Sequence, residues 1–200
     1  MNSSQQRLLQ QLSTILNEHF DTNASLLHSF AELVRHKQLS AGEVLWRVGE
    51  QQEHVYLLQH GLMYAYFITS EGKSVCKEVY WERDLVFGFR SLLANAPYPF
   101  SVTALEDSEL LQISKQDYLN WTQRHPEHQR FHLSVVSEYY MYKESKEEFL
   151  LLNTPEQRVA LFYQTYPDLI RRIPQHIIAS YLGITPISFS RIKKRLGLNL

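Results

Sequence analysis

The run from Gln175 to Leu196 joins a cluster of basic and hydroxyl side chains to a pattern of small and apolar residues that would position them. Counting from Gln175, Ala179 falls at position 5 and Gly183 at position 9, while Ile178, Leu182, Ile184, Phe189 and Ile192 fall at 4, 8, 10, 15 and 18. Two helices crossing at a tight turn need this set. A small residue lets the second helix pass close, a glycine supplies the left-handed turn residue, and the apolar residues glue the pair. Thr185 is placed to cap the second helix and Pro186 to occupy its first position. Thr185, Ile187, Ser188, Ser190, Arg191, Lys194 and Arg195 are then left pointing outward. On a helix lying in a major groove, Arg191 would meet guanine O6 and N7 together. Lys194 and Arg195, with Arg171 and Arg172 upstream, would meet phosphate. The expected partner is double-stranded DNA.

Charge distribution agrees. Residues 1–168 hold all 21 acids against 14 Lys and Arg, a net −7, whereas residues 169–200 hold six bases and no acid, a net +6. A basic end on an acidic body suits phosphate binding. Other classes recede. A single cysteine, Cys76, excludes an internal disulfide framework and an all-cysteine metal or iron–sulfur site within one chain. No nucleophile–base constellation stands out, so neither an enzyme nor a resident cofactor is expected. No apolar run approaches the ~20 residues of a membrane span. The N-terminal segment, with Leu8, Leu9, Leu12, Ile15, Leu16 and Phe20, has helical period rather than the apolar block of a signal peptide. A soluble, cytoplasmic protein without a membrane partner is expected.

The elements that must hold this run are marked by glycine and proline. Glycines at 42, 49, 61, 72 and 88 punctuate short runs that read as strands: 44–48, 55–58, 62–68 and 75–81, with Glu71-Gly72 as a tight hairpin. Two more, 101–105 and 109–113, flank Glu106-Asp107-Ser108. Such spacing predicts an antiparallel roll. Helices are expected at the N-terminus, over 25–34, and from a Ser114 cap to about 124. A long helix should run from Pro126 to about Leu152, with Phe131, Val135, Tyr139, Tyr142 and Phe149 near one stripe and Val136, Tyr140 and Leu150 widening it. A helix apolar over that breadth predicts a partner helix across a two-fold axis, hence a homodimer. Thr154-Pro155-Glu156-Gln157 restarts the chain as a capping box. The fold class is therefore α+β: a sensor-like roll with N-terminal helices over 1–125, a dimerisation helix over 126–153, and a helix-turn-helix unit over 154–200.

The order of these parts resembles the cyclic-AMP receptor protein/Fnr (Crp/Fnr) family of transcription regulators. The most specific part is the run Ile178-Ala-Ser-Tyr-Leu-Gly-Ile-Thr-Pro, followed by Ser190-Arg-Ile192. Gly42-Glu43, Gly49-Glu50, Val55-Tyr-Leu57, Gly61 and Phe87-Gly88 support it in the roll. The resemblance covers about residues 30–197. It implies a cyclic-nucleotide-binding-like sensor roll, a dimer reading a near-palindromic operator, and RNA polymerase as a further partner.

Departures from the family pattern qualify that implication. Cyclic-nucleotide members place a Glu directly after Phe-Gly and an Arg-Ser or Arg-Thr about ten residues on, to hold ribose and cyclic phosphate. Here Phe89 follows Gly88, and no Arg or Lys occurs between Ser91 and Ser114. A phosphate buried there would lack charge-assisted hydrogen bonds of ~1.5–3 kcal/mol each, so cyclic AMP is not expected to bind in the usual way. Arg90 is the one nearby cation in this stretch. An unknown small-molecule effector would instead meet an aromatic pocket at the junction of roll and long helix, from Tyr64, Tyr66, Trp81, Phe87, Gly88, Phe89, Arg90, Tyr98 and Tyr139. His125, His128 and His132 share a helix face but read first as surface residues, and no metal site is assigned. In the outward helix, Ile187 replaces a Glu that in many members accepts from a cytosine amine, so the half-site should differ from the family consensus. The sequence ends four residues beyond the motif, without the family's β-hairpin wing, which predicts a shallow salt dependence of binding. The competing reading is a signalling module whose roll binds a ligand or protein while the helix-turn-helix mediates assembly.

Overall fold

A computed structural model describes residues 3–17 and 20–198, leaving aside the side chains of 3–5 and 89. Two helices open the chain, α1 (Ser3–Leu16) and α2 (Ala24–Ala31), the second capped by the Asn23 side chain accepting from the Leu26 N–H. Eight strands follow: β1 (Arg35–Leu39), β2 (Val44–Trp46), β3 (His54–His60), β4 (Met63–Ile68), β5 (Ser74–Tyr80), β6 (Leu85–Val86), β7 (Ser101–Ala104) and β8 (Ser108–Ser114). A short helix, α3 (Phe89–Ala94), lies between β6 and β7. The strands form two antiparallel four-stranded sheets, ordered β1-β8-β3-β6 and β2-β7-β4-β5, so the expected roll is present. The hairpin of β4 and β5 turns at Gly72, whose positive φ of 77° suits the tight turn that Glu71-Gly72 predicted.

Between the sheets lies a closed core. The interior is packed by Trp46, Tyr56, Met63, Tyr98, Phe100 and Leu110 among others. Trp46 stacks on Tyr98 with ring centroids 4.7 Å apart, and Phe100 meets Tyr98 at a tilt of 44° and 5.1 Å. A second core covers the outside of the first sheet, where Leu57, Leu111 and Ile113 meet α1, α2, α4 (Lys115–Thr122) and the start of α5 (Pro126–Leu152). Trp121, fully buried, anchors it.

Helix α5 begins with Pro126 in its first turn and spans 27 residues. The stripe expected to face a partner divides between two surfaces. Phe131 and Val135 are buried against the chain's own roll, and Phe149 packs towards the C-terminal helices. The side chains left open are Leu133, Tyr140, Met141, Leu151 and Leu152, each 60–74% exposed. Val136 and Leu150, expected to widen the stripe, are half-buried.

After α5 the Thr154 side chain accepts from the Gln157 N–H at 3.3 Å, while Gln157 accepts from the Thr154 N–H at 2.8 Å. This reciprocal box starts α6 (Pro155–Thr165), which leads through a single 3₁₀ turn (Leu169–Arg171) into α7 (Gln175–Tyr181) and α8 (Pro186–Arg195). The third core joins α6, α7 and α8 to the outer face of the second sheet through Leu62 and Val79.

Candidate nucleic-acid interface and effector cavity

Helices α7 and α8 meet as the spacing requires. Ala179, Leu182 and Phe189 are buried to 1% exposure or less, and Ile178 and Ile192 join them, with Ile184 half-buried. Gly183 has φ +68°, a left-handed conformation that costs an L side chain roughly 1–2 kcal/mol. A Cβ there would also lie 3.0 Å from the Arg158 guanidinium, whose Nη1 donates to the Leu182 carbonyl at 2.5 Å. The Thr185 hydroxyl accepts from the Ser188 N–H at 3.1 Å and starts α8.

Thr185, Ile187, Ser188, Ser190, Arg191, Lys194 and Arg195 are all exposed. Ser188, Arg191 and Arg195 line an open cleft shared with Thr185, Ser180, Pro155 and Val75. Arg195 is already engaged: its Nε and Nη2 donate to Glu156 of α6 at 3.0 and 2.6 Å. Arg171 is exposed.

Arg172 departs from the expected phosphate contact. Its guanidinium turns towards the roll, where Nη1 and Nη2 donate to Glu82 at 2.9 and 2.8 Å. Nε and Nη2 donate to Glu106 at 3.0 and 2.7 Å, and Nη2 also reaches the Gly61 carbonyl at 3.2 Å. The hydrogen bonds to Glu106 and then Glu82 raise its pKa further above the usual arginine value. Burial opposes ionisation of Glu82, yet the Arg172 fork and the backbone amides of Glu82 and Gly61 outweigh it and hold this carboxyl at about 2. Two carboxylates use every face of the fork, which explains why charge and sequence position alone misplaced this residue.

A second strap joins roll, long helix and helix-turn-helix at Glu78. This side chain, 4% exposed, accepts from Lys143 at 2.8 Å, Lys146 at 3.0 Å and the Tyr142 hydroxyl at 2.7 Å. Burial alone would raise its pKa, but Lys146 and Lys143 reverse the shift and hold it ionised. Lys146 lies 4.0 Å from the ring centroid of Tyr181, the last residue of α7, and the Tyr181 hydroxyl is 3.4 Å from that of Tyr142. Beside it the Cys76 N–H donates to the Ser180 hydroxyl at 2.8 Å. Burial pushes the Cys76 thiol up to about 12, so it carries no thiolate at neutral pH.

The residues expected to form one aromatic effector pocket separate into four places. Tyr98 and Gly88 belong to the roll interior. The Gly88 N–H donates to the Tyr98 hydroxyl at 2.5 Å, and that hydroxyl donates back to the Gly88 carbonyl at 3.1 Å. The Tyr98 ring occupies the space a Cβ on Gly88 would need. Tyr64 and Tyr66 are not in the pocket: they alternate with buried Met63 and Ala65, stack on each other at 4.8 Å, and face outward from the second sheet. Arg90 is exposed on α3, and the Phe89 side chain lies outside the described residues.

Trp81, Phe87 and Tyr139 do come together. They line a cavity of about 290 Å³ between the end of α1, the β5–β6 segment, α5 and Tyr166. Phe87 and Tyr139 have ring centroids 5.9 Å apart, and Trp81 meets Tyr166 edge-on at 5.4 Å. Sequence reasoning missed the charged part of the wall, Glu78, Arg83, Asp84, Glu138 and Lys143. His128 and His132 of α5 serve separate partners. His128 is buried, stacks on Trp121 at 4.0 Å and lies with Nδ1 2.8 Å from the Trp121 carbonyl; His132 Nδ1 is 2.9 Å from the Tyr118 hydroxyl. Among the described residues no three metal-ligating side chains converge, and no helix is long and apolar enough to cross a membrane.

The order of roll, long helix and terminal helix-turn-helix is a fold that this chain shares with solved transcription regulators. Residues 36–125 match the cyclic nucleotide-binding domain family. A 79-residue stretch is 32% identical to the potassium channel SKOR of Arabidopsis thaliana, covering 40% of this chain and 9% of the channel. A 97-residue stretch is 33% identical to the anaerobic regulatory protein of Bacillus subtilis, covering 48% of this chain and 40% of that protein. The chain thus spans well under two thirds of the length of either relative. Among solved structures, the c-di-GMP responsive global regulator CLP of Xanthomonas campestris superposes with a TM-score of 0.70 at 14% identity, over 88% of this chain and 92% of that one.

Proposed function

We propose that this chain is a sequence-specific DNA-binding transcription regulator that works as a homodimer and does not take cyclic AMP in the manner of its class. The observation that carries the reading is α8: a capped helix on a fully packed tight turn, with Ser188, Ser190, Arg191 and Lys194 all exposed on it. The regulators to which the chain is similar support it. Residues 1–125 then act as sensor unit, 126–153 as dimerisation helix and 154–200 as DNA-binding unit, with a near-palindromic operator and RNA polymerase as partners. Leu133, Tyr140 and Met141 form the open apolar face a second copy would cover. Non-binding of cyclic AMP is supported by the roll interior, where the packed rings of Trp46, Tyr98 and Phe100 stand in place of a charged phosphate site.

One observation favours the second reading, in which the helix-turn-helix serves assembly: α7 packs on β5 of its own roll, so helical pairs here already bind protein surface. Selection of bound sequences from a random duplex library separates the two. Recovery of two-fold sites with half-sites ~10–10.5 bp apart is expected. Arg191→Ala should weaken the selected site by ~1–3 kcal/mol while leaving non-specific binding nearly unchanged. Failure to enrich any sequence, or Arg191→Ala with unaltered specificity, would reject base reading by this helix.

A further inference from the structure

The cavity between roll and long helix is built for one kind of guest. Trp81, Phe87, Tyr139 and Tyr166 give it aromatic faces, and Ile15, Leu16 and Val135 an aliphatic floor. At about 290 Å³ it sits at the lower edge of the ~300–1,000 Å³ usual for small-molecule pockets, so the guest is small. Its charged groups are unequally served. Glu78 has Lys143, Lys146 and Tyr142 as partners. Asp84 accepts from the Trp81 N–H at 2.9 Å, and the charges that bear most on it are the like charges of Glu78 and Glu82. Around it stand Arg83 on its own loop, Tyr80 on β5, Glu138, Tyr139 and Lys143 on α5, and Tyr166 beyond α6. Burial first, then Glu78 and Glu82, push the Asp84 carboxyl up to about 7 against the opposing Trp81 hydrogen bond. A carboxyl so placed is satisfied by a guest bringing its own positive charge, and aromatic faces attract the same charge.

We propose that this cavity is the effector site of the regulator and that it takes a small primary or secondary organic amine, its ammonium on Asp84 and its apolar body against Trp81, Phe87 and Tyr139. The effector role rests on the regulatory reading above; the binding does not. Glu78 reports occupancy, because it borders the cavity on one side and, through Tyr142 and Lys146, touches Tyr181 of the helix-turn-helix on the other. An ammonium near Asp84 competes with Lys143 and Lys146 for the same carboxylate field and loosens that strap. Binding also releases the proton from Asp84, so affinity rises with pH through neutrality.

The test is titration of the full-length chain with 4-phenylbutylamine, 4-phenylbutanol and 4-phenylbutanoate, followed by tryptophan fluorescence. Trp46 and Trp121 are buried elsewhere, so the signal should vanish in Trp81→Phe. The amine should bind saturably and at least about tenfold more tightly than the alcohol or carboxylate, as expected for a hydrogen bond to a charged group. Asp84→Asn should abolish the preference, Asp84→Glu should retain it, and amine affinity should rise between pH 6 and 8. Equal binding of the three probes, an Asp84→Asn variant with unchanged selectivity, or no saturable amine signal up to about 10 mM, a Kd too weak to matter, would overturn the proposal. Gel shift of the selected operator with and without amine tests the coupling: unchanged DNA affinity at saturating amine refutes the effector role. If no duplex is selected at all, the DNA-binding reading fails, and the fluorescence result still decides the amine site.

Discussion

Replacing Arg172 by alanine should unfasten the helix-turn-helix from the roll and destabilise the protein in a pH-dependent way. The guanidinium makes two forked ion pairs, with Glu82 and Glu106, at 27–34% side-chain exposure for all three groups. Holding the Glu82 carboxyl at about 2, against 4.5 as its ordinary value, corresponds to an upper bound of about 3 kcal/mol at 1.36 kcal/mol per pKa unit. Solvent reaches both carboxylates and screens part of it, so about 1.5–2 kcal/mol is the working figure for Arg172→Ala at pH 7. The sign follows from linkage. A carboxyl depressed in the folded state contributes stability that is fully present above about 4.5 and lost as pH falls towards 2. The gap between wild type and Arg172→Ala in urea unfolding, followed by tryptophan fluorescence, should therefore be widest at neutral pH and close as the solution is acidified through that window. Arg172→Lys should restore less than half of it, because an ammonium cannot fork to two carboxylates. A variant within about 0.5 kcal/mol of wild type at pH 7, the range of neutral surface changes, would refute the reasoning, as would a gap that persists unchanged at pH 2.5.

Three further outcomes are expected. Sedimentation of the full chain should give twice the 23.6 kDa monomer mass, and Leu133→Asp combined with Tyr140→Asp should return it to the monomer. Calorimetry with cyclic AMP should show no heat of specific binding up to about 1 mM, since a phosphate in the roll would have to displace the Tyr98 ring and its hydrogen bonds to Gly88; a micromolar Kd would overturn this. Asp84→Asn should gain in urea stability relative to wild type as pH rises from 4 to 8, with an upper bound of about 4 kcal/mol at 1.36 kcal/mol per pKa unit. Its carboxyl is raised to about 7, so the stabilisation of the protonated form is present below its unfolded value and lost through pH 7; a pH-independent difference would contradict the assigned shift.

How much of this could be read from the chain depended on the range of the interaction. The helix-turn-helix was legible because its constraints are local: a buried Ala179, a left-handed Gly183 and a capping Thr185 lie within seven residues. So were the capping box at Thr154 and the hairpin at Gly72. Strand β1 was not, because Arg-His-Lys-Gln-Leu carries one buried residue and is held to β8 by backbone pairing alone. Strand β6 is two residues long and leaves no period to read. Tyr64 and Tyr66 were assigned to the wrong side for a related reason. Period-two alternation separates two faces but does not name the inner one, and the inner positions went to Met63 and Ala65, which leave room for Trp46, Tyr98 and Phe100. Arg172 and its carboxylates are 66 and 90 residues apart, beyond any local pattern.

The same distinction decides how the cations of α8 should be ranked. By sequence, Lys194 and Arg195 are equivalent phosphate contacts at the end of the helix. In the folded chain Arg195 is forked onto Glu156, and moving it to a phosphate means giving up that exposed pair, a cost of about 0.2–1 kcal/mol. Among the described residues Lys194 forms no such ion pair, so on the proposed reading it would contribute to the salt dependence of binding in full, whereas Arg195 would contribute less than its charge suggests. Arg172, committed to the roll, adds nothing to the phosphate count while the helix-turn-helix stays docked. If α8 reads DNA as proposed, the basic end of the chain divides its six charges between gripping nucleic acid and holding the helix-turn-helix on the roll. On the proposed reading, the Glu78 and Arg172 straps set how firmly the helix-turn-helix is held, and the junction of roll, long helix and α7 is where an effector would act on it.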